Sequence, residues 1–176
     1  MIVKYAEKNE KELINKIIVS AFSTEEGKKL VHIIDDFIQE KNKNEIISLT
    51  AVINNEIVGF VSFSPIFFNE NINISGYILA PVAVLPRFQN QGVGTELINT
   101  GMKLLKKDNL DFLFVYGHPK YYSKFGFNKK DSKLFIPPYK LGYPNGWLGI
   151  NLTQIKIPKT EIKFSCIDAL SSEELW

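Results

Sequence analysis

The spacing of apolar residues in the N-terminal part of the chain predicts one strand and two helices. Residues 2–6, "IVKYA", form a short strand candidate. Asn9 and Glu12 then stand at the spacing of a helix-capping pair. The second helix is expected to begin near residues 23–24 and to end at residues 41–44, "KNKN". The two apolar stripes at helical spacing are Leu13, Ile14, Ile17, Ile18, Ala21 and Phe22, and then Leu30, Ile33, Ile34, Phe37 and Ile38.

The middle of the chain reads as strands. Residues 46–53 and 56–63 are rich in β-forming side chains and are separated only by Asn54 and Asn55, which predicts a hairpin with a two-residue turn. Because proline lacks an N–H donor, Pro65 is expected to end the second of these strands. Residues 74–84, "ISGYILAPVAV", predict a third, longer strand.

Helical spacing returns from about residue 92 to residue 107. The wholly apolar run at residues 112–116, "FLFVY", then predicts a strand that is buried on both faces. Residues 119–125 predict a short helix that ends at Gly126.

The last fifty residues have a weaker pattern. Residues 134–146 contain three prolines and two glycines, which predicts an irregular loop, and residues 147–153 and 161–167 predict strands. The order of elements indicates an α/β (α+β) fold with a mixed, mostly antiparallel sheet of about seven strands and about four helices. Residues 1–176 are expected to form one domain, with its core in residues 2–127 and less regular strands in residues 128–176.

Composition excludes several classes of function. The net charge is only +2 and no run of lysines forms a basic stripe, so nucleic acid as a bulk partner is not expected. No apolar stretch is long enough to cross a membrane, and the N-terminus does not resemble a secretory signal. The single cysteine, Cys166, excludes an internal disulfide and a cysteine-based zinc site. We therefore expect a cytoplasmic protein without a metal.

The segment "QNQGVG" at residues 89–94 carries the first chemical signal, because it stands where a strand ends and a helix begins. The N-terminus of a helix has unpaired N–H groups and a partial positive charge, and glycines there let a bulky anion approach the backbone. Neither a Walker loop nor a Rossmann fingerprint fits, since Leu97 stands where the third Rossmann glycine would be. The pattern Q/R-x-x-G-x-G/A fits Gln89, Gly92 and Gly94. From these six residues alone, a helix start with glycines for close packing is an equal alternative.

Four longer segments carry a resemblance to a known family. "AFSTEEGKKLV", "NEIVGFVSFSP", "LAPVAVLPRFQNQGVGTELI" and "GHPKYYSKFGF" occur in this order. Together they resemble the YhbS-like branch of the GNAT superfamily of N-acetyltransferases over residues 2–127. The resemblance implies the GNAT fold and the binding of acetyl-CoA as a cosubstrate.

The same resemblance implies where acetyl-CoA would bind. The pyrophosphate would lie on the loop and helix start formed by Gln89, Asn90, Gln91, Gly92, Val93, Gly94 and Thr95. The pantetheine arm would pair, like an added strand, with Val82, Ala83 and Val84. Pro81 and Pro86 bracket that strand segment and supply no ladder donor, which is compatible with free backbone groups beside them. An ordinary core strand with prolines at its ends is the alternative.

The resemblance also implies the catalytic groups. Tyr122 matches the tyrosine that acts as general acid toward the departing thiolate, and the Val84 N–H matches the donor to the acyl carbonyl oxygen. Tyr121 is expected to pack inward. No carboxylate lies in residues 74–84, so we expect a water as the base, held by Ser64 or Tyr77. An aromatic core role for Tyr122 is the alternative.

Four further side chains were weighed for chemistry. His118 could titrate near neutral pH, but a turn residue before proline is the plainer interpretation. Cys166 lies on the apolar side of its strand, which favours a core residue over a nucleophile. Arg87 and Lys124 are candidate phosphate contacts, set against ordinary surface roles.

The function predicted from all of this is transfer of an acetyl group from acetyl-CoA to a primary amine, directly and within a ternary complex. The acceptor is expected to be a small molecule or a peptide, and a homodimer is considered as one assembly state. A non-catalytic acyl-CoA-binding regulatory module is the main alternative. Another is a protein-interaction domain whose phosphate loop at residues 89–95 binds no ligand.

Overall fold

An open sheet of mostly antiparallel strands organises the residues that the computed structural model describes, which are 1–38, 46–69, 72–157 and 159–176. The strands are β1 (Ile2–Tyr5), β2 (Ile47–Ile53), β3 (Glu56–Phe68), β4 (Gly76–Val84), β5 (Phe112–Tyr116), β6 (Phe135–Ile136), β7 (Trp147–Asn151) and β8 (Ile162–Cys166). The helices are α1 (Lys11–Ala21), α2 (Thr24–Ile38), α3 (Val93–Lys107), α4 (Pro119–Tyr122) and α5 (Lys129–Ser132). The strand order is β1-β2-β3-β4-β5-β7, with β8 paired to both β3 and β6. The β4–β5 and β6–β8 pairs are parallel. The predicted fold class is confirmed.

The contacts of the chain form two compact units. Unit 1 consists of Met1–Phe63 and Ala80–Lys103, and unit 2 of Ser64–Leu79 and Leu104–Trp176. The expected single domain therefore stays a prediction. The expected end of α2 at residues 41–44 lies outside the described residues.

The hairpin of unit 1 forms as predicted. Asn54 and Asn55 both have positive φ angles, of 49° and 63°. Asparagine tolerates this conformation better than most residues, and two such positions make the tight turn that fits the twist of the flanking strands. In α1 the residues Ile14, Ile17 and Ile18 are buried as expected.

Two details of the first helix differ from the prediction. Leu13 is 47% exposed and does not belong to the buried stripe. The predicted cap at Asn9 is also wrong, because a 3-10 turn over Lys8–Glu10 precedes α1 and has its own capping pair. In that pair the Glu10 carboxylate accepts from the Glu7 N–H at 3.0 Å. The Lys4 ammonium lies 2.7 Å from Glu10, so the buried carboxylate is charge-paired.

Pro65 does not end β3, contrary to the prediction. The strand pairs with β2 as far as Phe63 and with β8 from Ile66 onward. Pro65 lies between these two ladders, where its missing N–H donor removes no bond from either of them. Unit 2 therefore includes the second half of β3.

Unit 2 also contains most of the differences in the C-terminal part. The expected loop at residues 134–146 includes β6, whose residues Phe135 and Ile136 pair with Ile162 and Lys163 of β8. Helix α5 was missed, although Asn128 caps it by accepting from the Asp131 N–H at 3.0 Å. The alternation in β8 is confirmed, since its apolar residues are buried and the residues between them are exposed.

Candidate active site

The C-terminal end of β4 belongs to unit 1 and leads directly into the glycine segment. The described β4–β5 register joins residues 76–79 to residues 112–115, so Val82, Ala83 and Val84 lie beyond it along β4. Ala83 is buried, whereas Val82 and Val84 are half-buried. A strand segment beyond its ladder is the kind of backbone to which an extended ligand can add.

Two glutamine side chains hold the loop that follows. Gln89 Nε2 donates to the Val84 carbonyl oxygen at 3.0 Å. Gln91 Nε2 donates to the Arg87 carbonyl oxygen at 2.8 Å. Both amides therefore bind the protein's own backbone, and the Gln89 bond ties the loop to the end of β4.

The loop reaches the helix through two residues in the left-handed region of backbone space. Asn90 has a φ of 58° and Gly92 a φ of 83°. Gly92 suits this conformation because it has no Cβ. A Cβ added at Gly92 would meet no atom within 4 Å. The glycine thus leaves open space directly in front of the helix start.

The start of α3 supplies donors at this place. At the start of α3 the Glu96 N–H donates to the carbonyl of Gly92, the residue before the helix, at 2.9 Å. The N–H groups of Gly92, Val93 and Gly94 precede that donor, so they have no acceptor within the helix. Val93 is 1% exposed and anchors the first turn in the core. The open space at Gly92, the N–H groups without an acceptor inside the helix and the helix dipole together fit a phosphate group.

The cation nearest to the loop in sequence is already paired. The Arg87 guanidinium contacts the Glu56 carboxylate and lies 5.2 Å from the centre of the Phe88 ring. Binding of an anion at this loop would therefore depend on backbone donors first. The suggestion that Arg87 meets a phosphate stays a prediction.

Tyr122 lies in unit 2, at the end of α4. This short helix begins at Pro119, and the His118 carbonyl accepts from the Tyr121 and Tyr122 N–H groups at 3.0 and 3.2 Å. The Tyr122 ring packs edge-on against Phe127, with ring centres 5.8 Å apart. It also covers Gly117, where an added Cβ would lie only 2.4 Å from a Tyr122 ring carbon. The tyrosine is therefore enclosed by its neighbours and is only 8% exposed.

Burial changes the acidity of this tyrosine. Desolvation, with a smaller effect of neighbouring Tyr121, raises the pKa of the Tyr122 hydroxyl well above its ordinary value. The hydroxyl therefore remains protonated throughout the neutral range and is available as a donor. Giving up that proton costs more than it would in water.

The neighbours of Tyr122 differ from expectation in one respect. Tyr121 was expected to pack inward, but it is only half-buried, and Tyr122 takes the inward position. The side chain of Tyr121 lies under the Lys124 ammonium, 4.0 Å from the ring centre. The His118 side chain is exposed and forms no cap bond, so its role in the turn is played by its backbone carbonyl.

Other candidate side chains are placed as follows. Ser64 is completely buried, and its Oγ has no hydrogen-bond partner among the described residues. Cys166 is buried on β8, and desolvation raises the pKa of its thiol to about 12. A thiol with so high a pKa is a poor nucleophile at neutral pH, in agreement with a core role.

Neither a metal-binding cluster nor a membrane-spanning helix is found in the part of the chain that the structure describes. Within it, no group of three His, Cys, Asp or Glu side chains could hold a metal ion. No helix in the described ranges is both long and apolar enough to cross a bilayer.

Sequence reasoning missed two residues that shape these regions. Glu56 pairs with Arg87, and its signal was only an acidic residue after the Asn–Asn turn. Gly117 makes room for the Tyr122 ring, and its signal was a glycine directly after the buried strand β5. The sequence-predicted residues 89–95 lie in unit 1 with Val82, Ala83 and Val84, and the Gln89–Val84 bond joins the two sets.

Known proteins resemble this chain in sequence and in fold. The Escherichia coli K12 protein named uncharacterized N-acetyltransferase YjhQ is 30% identical over 115 residues. The match covers 64% of this chain and 64% of that relative, so the chain spans less than two thirds of the relative's length. The crystal structure of the E. coli GNAT family N-acetyltransferase YhbS in complex with CoA has a TM-score of 0.82 at 16% identity, over 97% of this chain and 92% of the other.

A second solved structure, a GNAT family acetyltransferase from Brucella melitensis in complex with acetyl-CoA, has a TM-score of 0.73 at 20% identity, and covers 97% of each chain. At these identities the two structures establish the fold. The family model described as Acetyltransferase (GNAT) family matches residues 11–127, which is more than half of the chain and includes the loop, α3 and Tyr122. This chain therefore belongs to the GNAT family of acetyltransferases.

Proposed function

We propose that this protein transfers an acetyl group from acetyl-CoA to the primary amine of a small molecule or peptide, directly and within a ternary complex. Acetyl-CoA supplies an acetyl group activated as a thioester. The proposal also places the protein in the cytoplasm, where its single thiol, Cys166, would stay reduced.

The geometry of Gly92 carries the proposal. Its φ of 83° and the open space at its missing Cβ stand directly before the start of α3, where the Val93 and Gly94 N–H groups have no acceptor within the helix. A helix start that served only close packing would be expected to fill this space with protein atoms. Gly92 instead leaves open space next to the N–H donors of the helix start, which suits the pyrophosphate of CoA, with residues 89–95 around it.

The end of β4 is assigned to the pantetheine arm. Val82, Ala83 and Val84 lie beyond the described β4–β5 ladder, so an extended arm can add to this backbone as a strand does. The Val84 N–H is proposed to donate to the acyl carbonyl oxygen, where negative charge develops. The Val84 carbonyl accepts from Gln89, and this bond fixes the peptide direction at the end of the strand.

Tyr122 is proposed as the general acid. Its raised pKa keeps the hydroxyl protonated, and in the reaction it would pass this proton to the departing thiolate sulfur. The proton moves from a phenol to a thiolate whose conjugate thiol has a lower ordinary pKa than the phenol, so the transfer is uphill in water. It therefore depends on the site holding the two groups close together. The base that takes the proton of the amine is proposed to be a water, with the buried Ser64 hydroxyl as a holder.

One observation favours the second candidate, a non-catalytic acyl-CoA-binding module. The same burial that keeps Tyr122 protonated makes it a weaker acid. A binder would keep the loop of residues 89–95 and would have no use for proton transfer.

Two measurements separate the candidates. Calorimetry with CoA and acetyl-CoA tests binding, and an absence of binding to both would refute both candidates. Thiol release from acetyl-CoA is then followed with a panel of amines: a polyamine, amino acids, a peptide with a free N-terminus, and an aminoglycoside. The last is included because a solved aminoglycoside 6′-acetyltransferase has a TM-score of 0.62 at 21% identity. Amine-dependent release with acetylated product supports the enzyme, whereas binding without release across the panel supports the binder.

A further inference from the structure

Gly59 on β3 lies where two parts of the proposed CoA-binding region meet, the start of α3 and the end of β4. A Cβ built on Gly59 would be 2.9 Å from Leu97 Cδ1 and 3.0 Å from Val93 Cγ1, both on α3. It would also be 3.3 Å from the carbonyl oxygen of Ala83 on β4. A Cβ almost never lies within 3.0 Å of another heavy atom, so the Leu97 end group would have to move, and Val93 and Ala83 would have to shift by a few tenths of an ångström.

The neighbours of Gly59 have little freedom to move. Val93, Leu97 and Ala83 are at most 2% exposed, so each is enclosed by other core atoms. A buried leucine can turn its end group only if there is space for it, and the Ala83 oxygen belongs to the backbone. The displacement would therefore pass to the first turn of α3 and to the end of β4.

A second contact comes from the residue before Gly59. The register of β2 and β3 shifts here, because Ala51 pairs with Gly59 whereas Val52 pairs with Ile57, which leaves Val58 as the extra residue of a bulge. The Val58 carbonyl accepts from the Leu85 N–H at 2.9 Å. Leu85 directly follows β4 and begins the short connection, with a 3-10 turn over Pro86–Phe88, that leads into the loop of residues 89–92. Bulges and glycines inside strands often mark places where another backbone approaches closely.

We propose that Gly59, together with the Val58 bulge, is a positioning residue for CoA. It sets how closely the first turn of α3 lies to the end of β4, which are the parts assigned to the pyrophosphate and to the pantetheine arm. The Val58 carbonyl accepts from the Leu85 N–H, where the chain leaves β4. The missing side chain of Gly59 makes room for Val93, where α3 begins. Gly59 itself touches no ligand, and the inference rests on the proposed function.

The test is the Gly59→Ala variant, with the Kd for CoA measured by calorimetry well below the melting temperature. We expect the Kd to rise at least about tenfold, because a small displacement of a preorganised site is expensive. In the amine assay the KM for acetyl-CoA should rise more than kcat falls. Replacement of Val93 by Ala in the same variant removes one of the two contacts on α3 and should restore part of the affinity.

Gly101→Ala is the matched control, because it also adds one Cβ in a close contact of α3 with β3. That Cβ would lie 2.1 Å from a Phe63 ring carbon, so a loss of stability at least as large is expected. Its contact is in the third turn of α3, away from the loop, and the Kd for CoA should stay within about twofold of the wild type.

Each outcome decides between the two claims. Wild-type protein that binds no CoA removes the proposed function itself. If the wild type binds and Gly59→Ala binds equally well, only the positioning role is lost. An equal loss of affinity in Gly101→Ala would likewise overturn it, since the effect would then follow stability. If Gly59→Ala does not fold, Gly59→Ala combined with Val93→Ala is compared with Val93→Ala alone, and equal Kd values there would overturn the role.

Discussion

The loop of residues 89–92 and the surroundings of Tyr122 are built in different ways. The loop is exposed. Its shape comes from the backbone angles at Asn90 and Gly92 and from two hydrogen bonds that glutamine side chains donate to nearby backbone carbonyls. Tyr122 is buried, and its position comes from ring contacts with Phe127 and from the space above Gly117. The turns within the loop are made by residues close together in sequence, whereas the position of Tyr122 comes from packing.

This difference suggests a division of roles. A loop that offers backbone donors suits the unreacting part of a ligand, so changes there should act on affinity. A buried hydroxyl that stays protonated can act only as a proton or hydrogen-bond donor toward the reacting atoms, so changes there should act on turnover. The predictions below test whether the two regions divide in this way.

The largest effect is expected from Tyr122→Phe. The substitution removes only the hydroxyl and leaves the ring against Phe127, so the fold should be kept. We expect kcat to fall by about 100-fold or more, as is usual for loss of a general acid, while the Kd for acetyl-CoA changes by less than about threefold. Steady-state kinetics and calorimetry measure the two quantities. Tyr121→Phe, on the half-buried neighbour, should stay near wild type, and unchanged turnover in Tyr122→Phe would remove the acid role.

Gly92→Ala should give the next largest effect, on affinity. Alanine at a φ of 83° is strained, and its methyl group would enter the space assigned to phosphate. We expect the Kd for acetyl-CoA to rise about tenfold or more, with kcat at saturation nearly unchanged.

Gly126→Ala provides the control for backbone strain. Gly126 also has a left-handed backbone, with a φ of 96°, at the end of the short helical segment of unit 2. Its substitution should lower the melting temperature and leave CoA affinity within about twofold. Equal losses of CoA affinity in both variants would show that backbone strain, and not loss of the space assigned to phosphate, explains the result at Gly92.

A smaller effect is expected from Gln89→Met. Methionine keeps the length of the side chain but cannot donate to the Val84 carbonyl. Loss of one partly exposed hydrogen bond should raise the Kd for CoA about threefold to tenfold. Gln91→Met loses a bond to the Arg87 carbonyl, within the loop itself, and should have a weaker effect. The opposite order would contradict the idea that Gln89 ties the loop to β4.

The smallest effect concerns stability at high pH. The folded-state pKa of Tyr122 is raised, so above about pH 10 the unfolded chain loses the phenolic proton while the folded chain keeps it. The unfolded state then binds fewer protons, and the free energy of unfolding falls as pH rises, by up to about 1.4 kcal/mol per pH unit. Urea unfolding at pH 8, 10 and 11 should show a steeper loss in the wild type than in Tyr122→Phe. Parallel losses would show that the hydroxyl is not buried as described.

Local signals in the sequence were sufficient for several elements. The Asn54–Asn55 turn, the start of α3 near Gly92 and the end of the short helix at Gly126 were all predicted, because each needs a particular backbone conformation that few residues adopt. The alternation in β8 was also correct, since one face of that strand is buried.

Other features could not be obtained from local patterns. The strand β3 continues past Pro65 because β8, about a hundred residues later in the chain, supplies its next partner. The two-residue strand β6 exists only because β8 lies beside it. The exchange between Tyr121 and Tyr122 depends on the space above Gly117, which a helical pattern of four residues does not reveal.

The sequence by itself determined the family, through four segments spread over residues 2–127. It also located the loop of residues 89–95 that is proposed for the pyrophosphate of acetyl-CoA, because glycines and amides at fixed spacing mark that loop. Only the tertiary structure decided that Tyr122 is buried with a raised pKa, that Arg87 is paired with Glu56, and that Gly59 is in close contact with both α3 and β4. The physical reason is that burial, ion pairing and close approach are properties of atoms brought together from distant parts of the chain.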